Sequence, residues 1–177
     1  MSNQIIACFD VYYKKDQAKA CCIVFETDSV EKILSTYCQV IESVSDYISG
    51  EFYKRELPCI LKVYKMIRED IDLIIIDGFV TLGNGKKGLG AYLFESLDKK
   101  LPVIGVAKTY FRGCENYVEI YRGKSGKPLY VSSIGIDLDC SAKFIKNLNG
   151  IYRIPNILKK VDQLSRENTL YCSIKFP

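Results

Sequence analysis

The apolar positions of this chain repeat with two different periods. The runs "QIIACFDVYY" (4–13) and "AKACCIVFET" (18–27) are rich in β-branched and aromatic residues and flank the polar turn "KKDQ", the pattern of an antiparallel hairpin. Residues 32–41, "KILSTYCQVI", read as a third strand, with a helix as the alternative. In "EFYKRELPCILKVYKMIRED" (51–70), Leu57, Ile60, Leu61, Tyr64 and Ile67 recur at helical spacing, and Pro58 is tolerable near a helix start. "IDLIIIDG" (71–78) and "LPVIGVAK" (101–108) are continuous apolar runs, as in strands covered on both faces, and 88–100 between them predicts a helix. "NYVEIYRG" (116–123) and "PLYVSSIG" (128–135) form a later hairpin across "KSGK"; "CSAKFIKNL" (140–148) and "PNILKKVDQLSREN" (155–168) close the chain as helices.

Hairpin, helix, parallel strand, helix, parallel strand, hairpin and helices together describe an α/β fold with a mixed sheet and helices on its faces. With 177 residues and no repeat, low-complexity tract or long linker, the expectation is one domain over 1–177.

Composition adds limits. Hydrophobic residues at 48% and charged residues at 26% are ordinary for a globular protein, and no apolar run approaches the roughly 20 residues of a membrane span. The start, "MSNQIIACFD", lacks the basic and apolar regions of a secretory signal, so the expected setting is cytoplasmic, without a membrane, and as a monomer. Eight scattered cysteines with no C-x-x-C pair read as small buried hydrophobes in a reducing compartment. Because histidine is absent and no cysteines pair closely, zinc is disfavoured; a metal here takes oxygen ligands, as Mg²⁺ or Mn²⁺ does. A net charge of +4 points mildly toward a polyanionic partner.

Asp10 and Asp77 each end an apolar strand segment, and open α/β sheets place ligands at strand ends. Two carboxylates meeting there repel unless a cation joins them, and Mg²⁺ is commonly held by one or two carboxylates plus substrate phosphate oxygens. The plainer alternative for either residue is a turn or helix cap.

At this point the chain resembles the endonuclease V family. Six segments carry the resemblance in the family's order: "IACFDVYY", "DYISGEFYKRELPCIL", "LIIIDGFVTLGNGKKGLGAYL", "LPVIGVAKTYFRG", "KPLYVSSIG" and "YRIPNILKKVDQLS". The resemblance implies a ribonuclease-H-like fold, a Mg²⁺ cofactor, and cleavage of DNA or RNA near a deaminated purine, chiefly inosine. By matching position, Asp10, Glu56 and Asp77 correspond to the family's metal-binding carboxylates and Lys108 to its active-site lysine. Tyr47 and Gly50 match the loop that wedges into the strand. Gly78 would let backbone approach the displaced base, and Lys86 and Lys87 stand where the family carries basic residues, with a solvated turn as the alternative.

Three departures touch the site. The family's two prolines around its tyrosine are replaced in Asp46-Tyr47-Ile48-Ser49, and its Asp-Gly-His becomes Asp77-Gly78-Phe79. A family histidine after the "SSIG" strand has no counterpart, and nearby Asp137 is either a fourth metal carboxylate or a helix-entry cap. The alternatives to an active nuclease are a non-cleaving nucleic-acid-binding relative and a nuclease for another phosphodiester.

Overall fold

A computed structural model describes residues 4–15, 17–27, 31–42, 52–167 and 172–175. The strands are β1 (Gln4–Lys14), β2 (Gln17–Thr27), β3 (Glu31–Ile41), β4 (Leu73–Asp77), β5 (Val103–Ala107), β6 (Val118–Ile120), β7 (Leu129–Ile134) and β8 (Cys172–Lys175). They form one sheet in the order β6-β7-β5-β4-β1-β2-β3-β8. The helices are α1 (Phe52–Tyr64), α2 (Leu89–Ser96), α3 (Leu138–Asn147) and α4 (Asn156–Arg166). No described helix is long and apolar enough to cross a membrane.

β1, β2 and β3 are an antiparallel meander, β4 is parallel to both β1 and β5, and β7 returns antiparallel beside β5. Alternation along the central strands divides the core. Ile6, Cys8, Leu73, Ile75, Ile104 and Val106 face Ile145, Leu158 and Val161 of α3 and α4. On the opposite face, Ala7, Phe9, Ile74 and Ile76 meet Cys59, Ile60, Val63, Leu89 and Leu93 of α1 and α2. Each fully buried isoleucine or leucine contributes roughly 1.5–3 kcal/mol, so both helix layers are held chiefly by this sheet.

Several boundaries differ from the sequence reading, each for a local reason. Residues 32–41 lie within a strand, which settles that alternative. The helix expected over 51–70 stops at Tyr64. Beyond it, the Glu69 carboxylate accepts hydrogen bonds from Ser35 Oγ (2.6 Å) and Tyr37 OH (2.9 Å), which draws the connection under β3. The helix expected over 88–100 ends at Ser96, and Asp98 and Lys99 turn the chain with φ of 54° and 60°. β8 has no counterpart in the pattern analysis because a four-residue edge strand carries too little periodicity to register.

The cysteine reading needs a correction. Cys21 and Cys38 are joined by a disulfide, whereas thiols were expected throughout. The two face each other across the β2–β3 ladder with Cα atoms 4.1 Å apart, a proximity that their separation of 17 residues does not announce. Cys8, Cys22, Cys59 and Cys114 are buried free thiols, as expected.

Candidate active site

Register builds the site. β1 and β4 run parallel with Cys8 opposite Ile75 and Phe9 opposite Ile76, so the next rung sets Asp10 beside Asp77. Both alternate with residues packed under α3 and α4, so both project to that face, Asp77 as the last residue of β4 and Asp10 within β1, just past the last β1–β4 pair. Adjacent strands lie about 4.8 Å apart, which makes the two carboxylates neighbours. β5 continues the arrangement: Asp77 pairs with Val106, and Lys108, two residues on, projects to the same face. Its Nζ lies 2.6 Å from Asp77 Oδ2 and 3.4 Å from Asp162 Oδ1.

α4 closes the site from above. Leu158 and Val161 anchor it on β1 and β2, and the same helical face continues as Asp162 and Ser165. Ser165 Oγ, fully buried, hydrogen-bonds to Asp10 Oδ2 and lies 2.8 Å from the Asp162 carbonyl. Asp162 also takes Arg166 Nε at 3.0 Å. Glu56 arrives from the other side of the sheet, in α1, and is 4% exposed. Its Oε2 is buried without a hydrogen-bond partner.

The electrostatics follow from burial and like charge. Desolvation pushes the Glu56 carboxyl well above its ordinary range, and Asp77 and then Asp10 add to the shift. Desolvation also raises Asp10; Ser165 opposes the shift and Asp77 reinforces it. For Lys108 burial acts downward, but Asp77 and Asp162 hold the ammonium above its usual value. Asp162 is lowered: burial acts against the shift, and Arg166 and Lys108 outweigh it.

Among the described residues, no three Asp, Glu or Cys side chains converge into a closed metal-ligand cluster, and Lys108 stands between Asp77 and Asp162. The residues nonetheless fit a hard divalent ion. Every donor is an oxygen, the carboxylates repel one another, and Glu56 Oε2 is an acceptor held in the interior with nothing to accept.

The remaining sequence-derived positions divide. Tyr47 and Gly50 lie outside the described residues. Gly78 directly follows Asp77 at φ +137°, a conformation that requires glycine, and open space surrounds the position a Cβ would take. Lys86 is exposed, while Lys87 pairs with Glu95 at 2.7 Å and lies over the Tyr92 ring, directed toward α2. Phe79, where the family has histidine, is buried and packs against Tyr117 and Tyr130 with ring centroids 6.3 Å away.

Asp137 takes the second of the two roles expected for it. It is the exposed N-cap of α3, and its Oδ1 accepts from Cys140 N at 2.8 Å, so the cap alternative holds. The fourth carboxylate beside Lys108 is Asp162, which the sequence reading left unassigned, as it did Ser165. A signal existed: Leu158, Val161, Asp162 and Ser165 occupy one helical face, and two polar residues extending a buried stripe ask for a polar surrounding.

The endonuclease V family model matches residues 1–125. The endonuclease V of Sulfolobus acidocaldarius is 31% identical over 129 residues, an alignment covering 68% of this chain and 62% of that protein. The crystal structure of endonuclease V from Streptomyces avermitilis superposes with a TM-score of 0.76 at 25% identity, covering 92% of this chain and 79% of that one. A Ciona intestinalis endonuclease V, crystallised with a 24mer DNA containing an inosine followed by a ribo-adenosine, gives a TM-score of 0.80 at 20% identity and covers 93% and 85%. The fold is therefore ribonuclease-H-like, with helices on both faces of a mixed sheet. On the family match and the S. acidocaldarius relative together, the chain belongs to the endonuclease V family.

Proposed function

We propose that this protein is a divalent-metal-dependent endonuclease that hydrolyses a phosphodiester near a deaminated purine, inosine above all, in DNA or RNA. The observation that carries the reading is the meeting of Asp10, Asp77, Asp162 and Lys108 where the β1–β4 and β4–β5 ladders end, with the unpartnered Glu56 Oε2 behind them. The Ciona relative's inosine-containing DNA supports the choice of substrate.

Asp10, Glu56, Asp77 and Asp162 would hold Mg²⁺ or Mn²⁺, which when bound makes a water a better nucleophile and draws charge from the phosphate. The chain's own groups do the rest. Ser165 fixes Asp10 Oδ2, so this carboxylate keeps one orientation under a reacting water. Lys108 supplies a point charge to a non-bridging phosphate oxygen as negative charge builds there. Gly78 leaves room beside Asp77 for a displaced base to approach the backbone, and exposed Lys86 contributes to the positive surface met by the strand. Water oxygen joins phosphorus, the bond to the leaving oxygen breaks, and that oxygen takes a proton.

The test is incubation with Mg²⁺ or Mn²⁺ and end-labelled DNA and RNA strands, each plain or carrying one inosine. Cleavage at a fixed distance from inosine, abolished by EDTA, is the expected result. Binding without cutting would identify a non-cleaving relative, and equal cutting of plain strands a different phosphodiester specificity.

A further inference from the structure

The segment "YRIPN" before α4 contributes no side chain to the chemistry above, yet it is bound more tightly than a surface loop requires. Arg122, almost wholly buried, directs its guanidinium onto five backbone carbonyls: Lys146, Leu148, Gly150, Tyr152 and Arg153. Arg153 in turn donates through Nη2 to the carbonyls of Lys108 and Pro128, the latter at 2.6 Å, and through Nε to Pro128 at 3.2 Å. The last rung between β5 and β7 is Ala107 with Tyr130, so both carbonyls lie just past the end of that ladder.

We propose that Arg153 is a positioning residue for Lys108. Beyond Ala107 the β5 backbone has left its ladder, and the Arg153 guanidinium replaces the missing rungs by bridging Lys108 to Pro128. It thereby fixes the Cα from which the Lys108 side chain reaches Asp77. The same residue lies two positions before Pro155, where α4 begins, so one guanidinium sets Lys108 and the helix bearing Asp162 against each other. Arg122 makes this connection stiff by holding Arg153's own carbonyl. A rigid planar fork holds Pro128 O through Nε and Nη2 together while Nη2 also reaches Lys108 O, a fixed geometry that a lysine ammonium on its flexible stem does not impose. Displacements near 1 Å at a charged group are costly to a transition state, which gives the tether catalytic consequence.

The inference rests on the nuclease reading for its kinetic arm only. In that arm, Arg153→Ala lowers kcat on an inosine strand about tenfold with KM within twofold, Arg153→Lys falls between, and Arg153→Ala added to Lys108→Ala costs no more than a further twofold. The second arm measures acylation of Lys108 by an amine-reactive ester, followed by peptide mass spectrometry. Held between carboxylates, Lys108 reacts slowly; Arg153→Ala speeds its modification several-fold while that of exposed Lys86 is unchanged. Should Arg153→Ala fail to fold, Arg153→Lys and Arg153→Gln carry both arms. Losses that multiply in the double variant, or a Lys108 acylation rate unchanged in a folded variant, overturn the proposal. If the parent protein cuts none of the strands, the nuclease reading fails while the acylation arm still decides the role of Arg153.

Discussion

Lys108 Nζ lies 2.6 Å from Asp77 Oδ2, so the ammonium that follows β5 and the carboxylate that ends β4 neutralise each other. A divalent ion must compete with that ammonium for Asp77. Lys108→Ala should therefore slow cleavage by roughly 10²-fold, the scale of losing one charge-stabilising donor, while Mg²⁺ affinity stays level or tightens. Calorimetric titration checks this, and a clear weakening of Mg²⁺ binding in the variant would contradict it.

Asp10→Asn and Asp77→Asn remove charge at nearly constant volume. Each should lower cleavage at least 10²-fold with the fold retained. Asp10→Asn should also melt no lower than the parent in EDTA, because an expensive buried charge has gone and Ser165 still finds an oxygen acceptor. Asp77→Asn forfeits an ion pair whose side chains are 35% and 33% exposed, so its stability should fall by about 1 kcal/mol. Wild-type cutting by either variant would remove that residue from the metal site.

Much of this site could be read from the chain, and the physical reason separates what could from what could not. Asp77 ends an apolar strand, Lys108 directly follows another and Asp10 interrupts a third, so a local pattern marks each of them, although β1 continues past Asp10 to Lys14. Asp162 and Ser165 lie in a helix that reads as plainly amphipathic; their place beside Asp10 and Lys108 comes from packing over β1, a contact made across some 150 residues. The Cys21–Cys38 bond was hidden likewise, because it depends on β2–β3 register. Asp137 shows the opposite case: its position suggested either a ligand or a helix-entry cap, and the backbone at the start of α3 takes the cap.

That disulfide closes a loop of 17 residues and should contribute about 3 kcal/mol if its effect is mainly on the unfolded chain. Cys21→Ala/Cys38→Ala should lower Tm by several degrees, and reductant should lower the Tm of the parent toward that of the variant while leaving the variant unchanged. Identical melting curves for the double variant and the oxidised parent would count against a stabilising role.

The pH dependence has a definite sign. Burial raises the folded-state carboxyls of Glu56 and Asp10 above their unfolded values, so the folded state binds more protons in the interval between. Their contribution is fully present below the unfolded values, near 4, and is lost as pH rises through the raised folded values. In EDTA the protein should accordingly melt higher at about pH 5 than at about pH 7.5, and saturating Mg²⁺ should reduce or reverse the difference. An EDTA Tm that climbs steadily across this range would show that these carboxylates are not the groups governing it.

The two aspartates of the closing helices offer the sharpest contrast. Asp162 contacts Lys108 and Arg166 from α4, whereas Asp137 accepts a backbone hydrogen bond at the start of α3. Asp162→Asn should weaken divalent-metal binding and cleavage together, each by about tenfold or more, because an oxygen ligand loses its charge and Lys108 loses one of its two partners. Asp137→Ala should leave both within twofold and lower stability by about 1 kcal/mol, the usual cost of a lost N-cap. Asparagine at 137 still caps, so Asp137→Asn should recover most of that stability. Should Asp137→Asn abolish cleavage and Asp162→Asn spare it, the assignment of the fourth carboxylate would be reversed, and α4 would be left as a packing element that orients Asp10 through Ser165 alone.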